Sequence, residues 1–226
     1  MKKKQGLAER INIMRASVMG ANDGILSVAG IVIGVAGATS NNYAIFLAGI
    51  SGMLAGTISM AMGEYVSVNA QRDTEQRAIM REKVALDEHP ATEIDFITQR
   101  YVDTGIRPEL ANKAATEMLQ REPLVAGVRE RYGFDPREKT SAIGAAVASM
   151  ISFPTGSILP LLAITLLPAN IKIIGTMIAV IIALSITGYA AATLGNANRM
   201  KATLRNVISG LVTMLVTYMI GLAFAR

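Results

Sequence analysis

A chain of 226 residues in which 51% are apolar and only 17% charged falls short of the roughly 25% charged residues usual in soluble domains. Its formal charge of +5 does not point to nucleic acid as a partner. The basic residues flank apolar blocks instead of gathering with aromatics on a recognition element. The lack of cysteine excludes disulfides, thiolate metal sites and cysteine nucleophiles.

Five blocks reach the length of about 20 apolar residues that a spanning helix needs: 16–38, 43–63, 141–163, 171–194 and 204–225. None alternates as a barrel strand would, so only helices satisfy their backbone in lipid. The expected fold is an all-α integral membrane protein with five transmembrane helices. A small cytoplasmic helical domain is inserted between helices 2 and 3. The expected division is 1–63 (helices 1 and 2 behind a basic N-terminus), 64–140 (the insert) and 141–226 (helices 3 to 5). The start is basic at Lys2, Lys3 and Lys4, but the first apolar block is too long for a cleavable signal and carries Asp23, so it reads as a retained helix.

Orientation follows from Lys and Arg. Twenty of the 22 precede the first block, lie in the insert or separate the fourth and fifth blocks, while Lys172 and Arg226 alone fall on the other side. The positive-inside rule then sets the N-terminus and insert in the cytoplasm and the C-terminus outside, in a multi-pass protein of the cell membrane.

The insert has its own pattern. No Gly or Pro occurs between Glu64 and His89, so the second helix is expected to run well past its apolar part and stop at Pro90. A further helix over 92–104 is expected to open on Thr92 with Asp95 as a capping-box-like pair and to end at Gly105. Pro108 suits the first turn of a third helix, reaching about Gln120. A short fourth, 122–132, closes at Gly133. Ile94, Ile97, Tyr101, Leu110, Leu119 and Leu124 recur at helical spacing, which marks a folded unit and not a linker.

Of the 17 acidic residues, only Asp23 lies well inside an expected span, and Glu64 lies at the inner end of another. A mid-span Asp costs about 2.5–3.5 kcal/mol on insertion scales, so such groups face a cavity or a partner and mark ion paths. Asp23 is preceded by Asn22 and flanked by Gly20 and Gly24, which permit close helix approach or a locally opened backbone with free carbonyls. Met60 and Glu64, four apart, put a thioether and a carboxylate on one helix face. Carboxylate, carboxamide and thioether together suit a borderline divalent cation such as Fe2+ or Mn2+, whereas Ca2+ and Mg2+ call for oxygen alone. In the insert Glu75 and Glu82 share a face, with Glu117 and Met118 as further candidates. The lone His89 reads as a surface residue. Pro154 and Pro160 predict a distorted third span.

The segments Arg15–Gly24 (RASVMGANDG) and Ser59–Val68 (SMAMGEYVSV), followed by Gln71, Asp73 and Glu75, resemble the vacuolar iron transporter family. Ser157–Leu162 (SILPLL) resembles that family too, and the likeness covers the whole chain. It implies a homodimeric exporter of Fe2+, or Mn2+, driven by proton exchange, with no permanent cofactor. The ion path would lie between the two copies' first helices, with Asp23 and Met60 as ligands and Glu64 near the inner mouth. The same resemblance puts Glu82 and Glu93 in a cytosolic metal cluster. There the chain departs from the family pattern: Ala85, Phe96, Gly127 and Arg131 stand where further ligands belong, so a weaker or rearranged site is expected.

A membrane-anchored sensor or scaffold, its insert binding a cytosolic partner, is the alternative. It leaves Asp23 and the Met60–Glu64 face without a task. No zinc-protease His pair and no G-x-S-x-G elbow occur, so an enzyme is not expected.

Overall fold

The computed structural model describes residues 6–225, so Lys2, Lys3, Lys4 and Arg226 lie outside the described residues. Eight helices follow one another: α1 (Leu7–Ala38), α2 (Asn42–Glu88), α3 (Pro90–Asp103), α4 (Pro108–Arg121), α5 (Pro123–Tyr132), α6 (Ala142–Leu166), α7 (Lys172–Leu194) and α8 (Arg199–Ala223). No strand occurs among the described residues. Five of the helices, α1, α2, α6, α7 and α8, are long and apolar enough to cross a membrane. The chain divides into two compact units, one holding Arg10–Val66 and the residues from Ser141 on, the other holding Ser67–Thr140.

In the larger unit α1 is the central helix. Of its most apolar stretch 44% is buried, against 17% for α2 and α8. Ile25, Val28, Ala29, Val32 and Ile33 of α1 meet Ile45 of α2, Leu161 and Ile164 of α6, Val180 and Leu184 of α7, and Met214 of α8. Lipid tails are as apolar as leucine, so association in a bilayer depends on close packing and interhelical hydrogen bonds more than on burial. The α1–α6 seam uses both. A Cβ on Gly24 would run into the Phe153 carbonyl oxygen, and one on Gly156 into that of Ala21. Across the same seam Ser157 Oγ donates to the Gly24 carbonyl at 3.2 Å and Ser149 Oγ to that of Ala16 at 3.4 Å.

These contacts choose between the two readings of the α1 glycines. They serve close approach. The helix is unbroken from Leu7 to Ala38, and the Gly24 carbonyl is engaged by Ser157 instead of being free for a cation. The third span is one helix that continues through Pro154 and Pro160. Each proline leaves one carbonyl without its usual donor. The Thr155 hydroxyl bonds the carbonyl of Ile151, and the Ser157 hydroxyl shares its one proton between the carbonyls of Phe153, at 2.8 Å, and Gly24.

The second unit packs α3, α4 and α5 with the latter part of α2. Its helix starts are set by proline: Pro90, Pro108 and Pro123 each sit in the first turn, where the missing N–H costs nothing. The expected capping pair at Thr92 does not form, because the helix has already begun at Pro90 behind His89, with no side-chain cap. Gly133, at φ 79°, closes α5 as expected. At 1.5 Å per residue the 47 residues of α2 extend for roughly 70 Å, more than twice the hydrocarbon thickness of a bilayer.

Candidate functional site

The short 39–41 connection makes α1 and α2 an antiparallel pair. Ile31 packs on Gly52 near one end, and Arg15 Nη2 meets Glu64 Oε2 at 3.0 Å near the other. That register brings Met60 between the levels of Met19 and Asp23. Eight residues of helix, about 12 Å, separate the levels of Arg15 and Asp23.

Asp23 is exposed on the protein surface. Its one hydrogen bond in the structure comes from Ser27 Oγ to Oδ1 at 2.9 Å, and no cation pairs with it among the described residues. Ile11, Arg15, Met19, Asp23 and Ile31 all lie exposed at four-residue intervals, with Ser27 half-buried between the last two. Asp23 and Ser27, four residues apart, share one helix face. A carboxylate and its hydroxyl partner therefore lie on the outer face of the central helix, within its apolar stretch.

Asn22 points elsewhere. Its Oδ1 accepts from Asn206 Nδ2 of α8 at 3.0 Å, so it ties α1 to α8. Met60 is half-buried, and Glu64 is only 6% exposed and held by Arg15. In the sequence Arg15 stands out only as the start of the Arg15–Gly24 segment. Its partner is Glu64, 49 residues away along the chain.

In the insert two of the three expected metal ligands meet, and a cation is between them. Glu82 of α2 is 1% exposed and Glu93 of α3 is 4% exposed. Arg131 of α5 lies with Nε 3.1 Å from Glu82 Oε2 and with Nη2 2.5 Å from Glu93 Oε2. Its guanidinium carbon rests 3.9 Å from the centre of the Phe96 ring. Gly127, one turn before Arg131, leaves the room that Glu82 Oε1 fills. Burial, and then the Glu93 charge, push the Glu82 carboxyl above its ordinary range, with Arg131 acting the other way. Glu75 stays apart, seven residues back on α2, accepting from Gln71 at 2.8 Å. Among the described residues no three or more Asp, Glu or His side chains gather as metal ligands. Phe96, Gly127 and Arg131, which stand together in the sequence as departures from the family pattern, form one arrangement around Glu82 and Glu93.

Five apolar helices, with a carboxylate in the span of the central one, define a polytopic helical membrane protein. Residues 14–222 match the model of the VIT family. The chain is 31% identical over 209 residues to a protein from Acanthamoeba castellanii named vacuolar iron transporter, covering 92% of this chain and 77% of that one. It is 33% identical over 221 residues to vacuolar iron transporter homolog 2 of Oryza sativa subsp. japonica, covering 96% and 93%. With homolog 2 of Arabidopsis thaliana the identity is 30% over 212 residues, covering 93% and 84%. The chain belongs to the VIT family.

Proposed function

We propose that this protein exports a divalent transition metal, Fe2+ or Mn2+, from the cytoplasm in exchange for protons, as a homodimer in the cell membrane. Metal-ion transport is the activity that family membership carries to the chain, and iron is the metal in the relatives' names. The direction, the ion, the coupling and the dimer are our reading. The observation that carries it is Asp23, an exposed carboxylate within a span whose one side-chain hydrogen bond among the described residues comes from Ser27. An uncovered Asp is costly in hydrocarbon, so this face requires water, a cation or a second copy.

Asp23 and Met60, within about one helical turn of each other in height, are the proposed path ligands, and Glu64 is the ligand at the inner end. Exchange with protons needs no additional part, since metal and proton compete for the same carboxylate oxygens. The charge asymmetry supports a cytoplasmic Glu64 end, where an exported ion would enter.

The test is metal flux into inside-out proteoliposomes with Fe2+ and Mn2+, with and without a pH gradient. Asp23→Asn is expected to remove both the flux and the proton movement it drives. Metal-coupled proton flux that survives the substitution would overturn the reading. It would favour the sensor or scaffold alternative.

A further inference from the structure

The Arg15 guanidinium is surrounded by acceptors of three kinds. Nη2 donates to Glu64 Oε2 at 3.0 Å and to Asn12 Oδ1 at 3.2 Å, and Nη1 donates to Met19 Sδ at 3.5 Å. One carboxylate oxygen, one carboxamide oxygen and one thioether sulfur thus converge on a single cation. Asn12 Nδ2 is buried with no hydrogen-bond partner among the described residues, so the carboxamide is turned to give its oxygen to the cluster and gains nothing with its nitrogen. Arginine alone does not need a thioether, which is a weak acceptor. A borderline divalent metal uses this donor set well.

The cation holding these groups is the displaceable member. Glu64 is 7% exposed at its side chain, while Arg15 is 47% exposed. A half-exposed ion pair is worth little. Arginine can also swing its head into water while its stem stays packed. A dication arriving at a buried carboxylate gains more Coulomb energy than the monocation it replaces.

We propose that Asn12, Met19 and Glu64 form an inner metal site, specific for a borderline divalent transition metal, and that Arg15 is its resident counter-ion when the site is empty. The site's place at the start of the path rests on the transport reading. The site itself rests on the convergence of the three donors.

The experiment is equilibrium binding of Co2+ to the whole protein in nanodiscs, in an Asp23→Asn background so that the inner site alone reports. Arg15→Gln is expected to tighten Co2+ binding about two- to fivefold, the worth of a half-exposed ion pair. Adding Met19→Leu is expected to reverse that gain for Co2+ and leave Mg2+ binding unchanged, since Mg2+ does not use sulfur. Glu64→Gln should remove the binding. Should Arg15→Gln not fold, Arg15→Lys, a point charge without the fork, is expected to shift the affinity in the same direction by about twofold.

Co2+ binding that is unchanged or weaker in the Arg15 variants overturns the proposal, as does a Met19→Leu effect of equal size on Mg2+. Flux measured with Asp23 intact separates the two claims. Normal flux with no Arg15 effect on binding removes the site and leaves transport standing. The expected binding shifts without flux do the reverse.

Discussion

Arg131 illustrates how one residue decides the chemistry of a cluster. Two buried carboxylates without a cation would be untenable, because removing one partner of a buried pair strands charge in a medium that solvates it poorly. The guanidinium answers Glu82 and Glu93 together, and the Phe96 ring beneath it adds a cation–π contact. Arg131→Met is expected to destabilise the insert by about 3 kcal/mol, near the lower end for a broken buried pair because Arg131 is partly exposed. Acid should rescue it. In the folded insert the Glu82 carboxyl is raised above its ordinary value of 4.5, so between that value and the raised one the folded state holds a proton that the unfolded chain has released. Stability from this group is therefore present at low pH and is lost as pH rises through the raised value. Without the lowering influence of Arg131 the window widens upward. Hydrogen exchange of residues 67–140 in the whole protein, at pH 5 and pH 7.5, checks this. Equal loss of protection by Arg131→Met at both pH values would remove the electrostatic account.

The helices depend on different physics in the two units. In the apolar unit the contacts that cannot be traded are those where backbone meets backbone, at Gly24 and Gly156. Gly156→Val should force α6 away from α1, break the Ser157–Gly24 hydrogen bond and cost about 2 kcal/mol or more, in the range of overpacked cores. The readout is thermal unfolding of the purified protein. A change of under half that size would mean that the seam yields more easily than its geometry implies. Hydropathy marked all five apolar helices, but it was blind to their polar ends. The structure starts α1 at Leu7 and α8 at Arg199, where Glu9, Arg10 and Arg15, or Arg199, Lys201 and Arg205, carry the helix out of the apolar region. In the insert Pro90 fixed the helix start that Thr92 had been expected to set, because a locked φ suits the first turn as well as a hydroxyl cap does. Asp23 was legible because an acid inside a span stands out against its neighbours. The pairings of Arg15 with Glu64 and of Asn22 with Asn206 were not, since partners 49 and 184 residues apart meet only after helices pack. The insert lies between these cases. A cation among acids was visible at Arg131, but not that it would bind Glu82 and Glu93 at once.

At the scale of the whole molecule, the exposed row on α1 poses a constraint that one copy does not meet. Met19 and Asp23, one turn apart, lie exposed on the central helix, and Ile31, two turns on, is exposed beside Gly52 of α2, whereas the open face of α7 presents Ile174, Ile178, Ile182 and Ile186. The second is a surface that lipid covers at no cost. The first contains a carboxylate, and a two-fold arrangement that sets one α1 against another would enclose both Asp23 groups between copies. An isologous contact brings a residue near its own counterpart on the axis, and a disulfide forms only where Cα atoms come within about 7 Å. Because the chain contains no cysteine, a single introduced one reports without background. Ile31→Cys is expected to cross-link the protein into covalent dimers under mild oxidation in membranes. Ile182→Cys, equally apolar but on α7, is expected not to. Metal added before oxidation should change the Ile31→Cys rate, if the enclosed carboxylates hold it, and leave the Ile182→Cys control untouched. Cross-linking through α7, or none through α1, would mean that Asp23 is covered by something other than a second copy, and the path would then have to be completed within one chain.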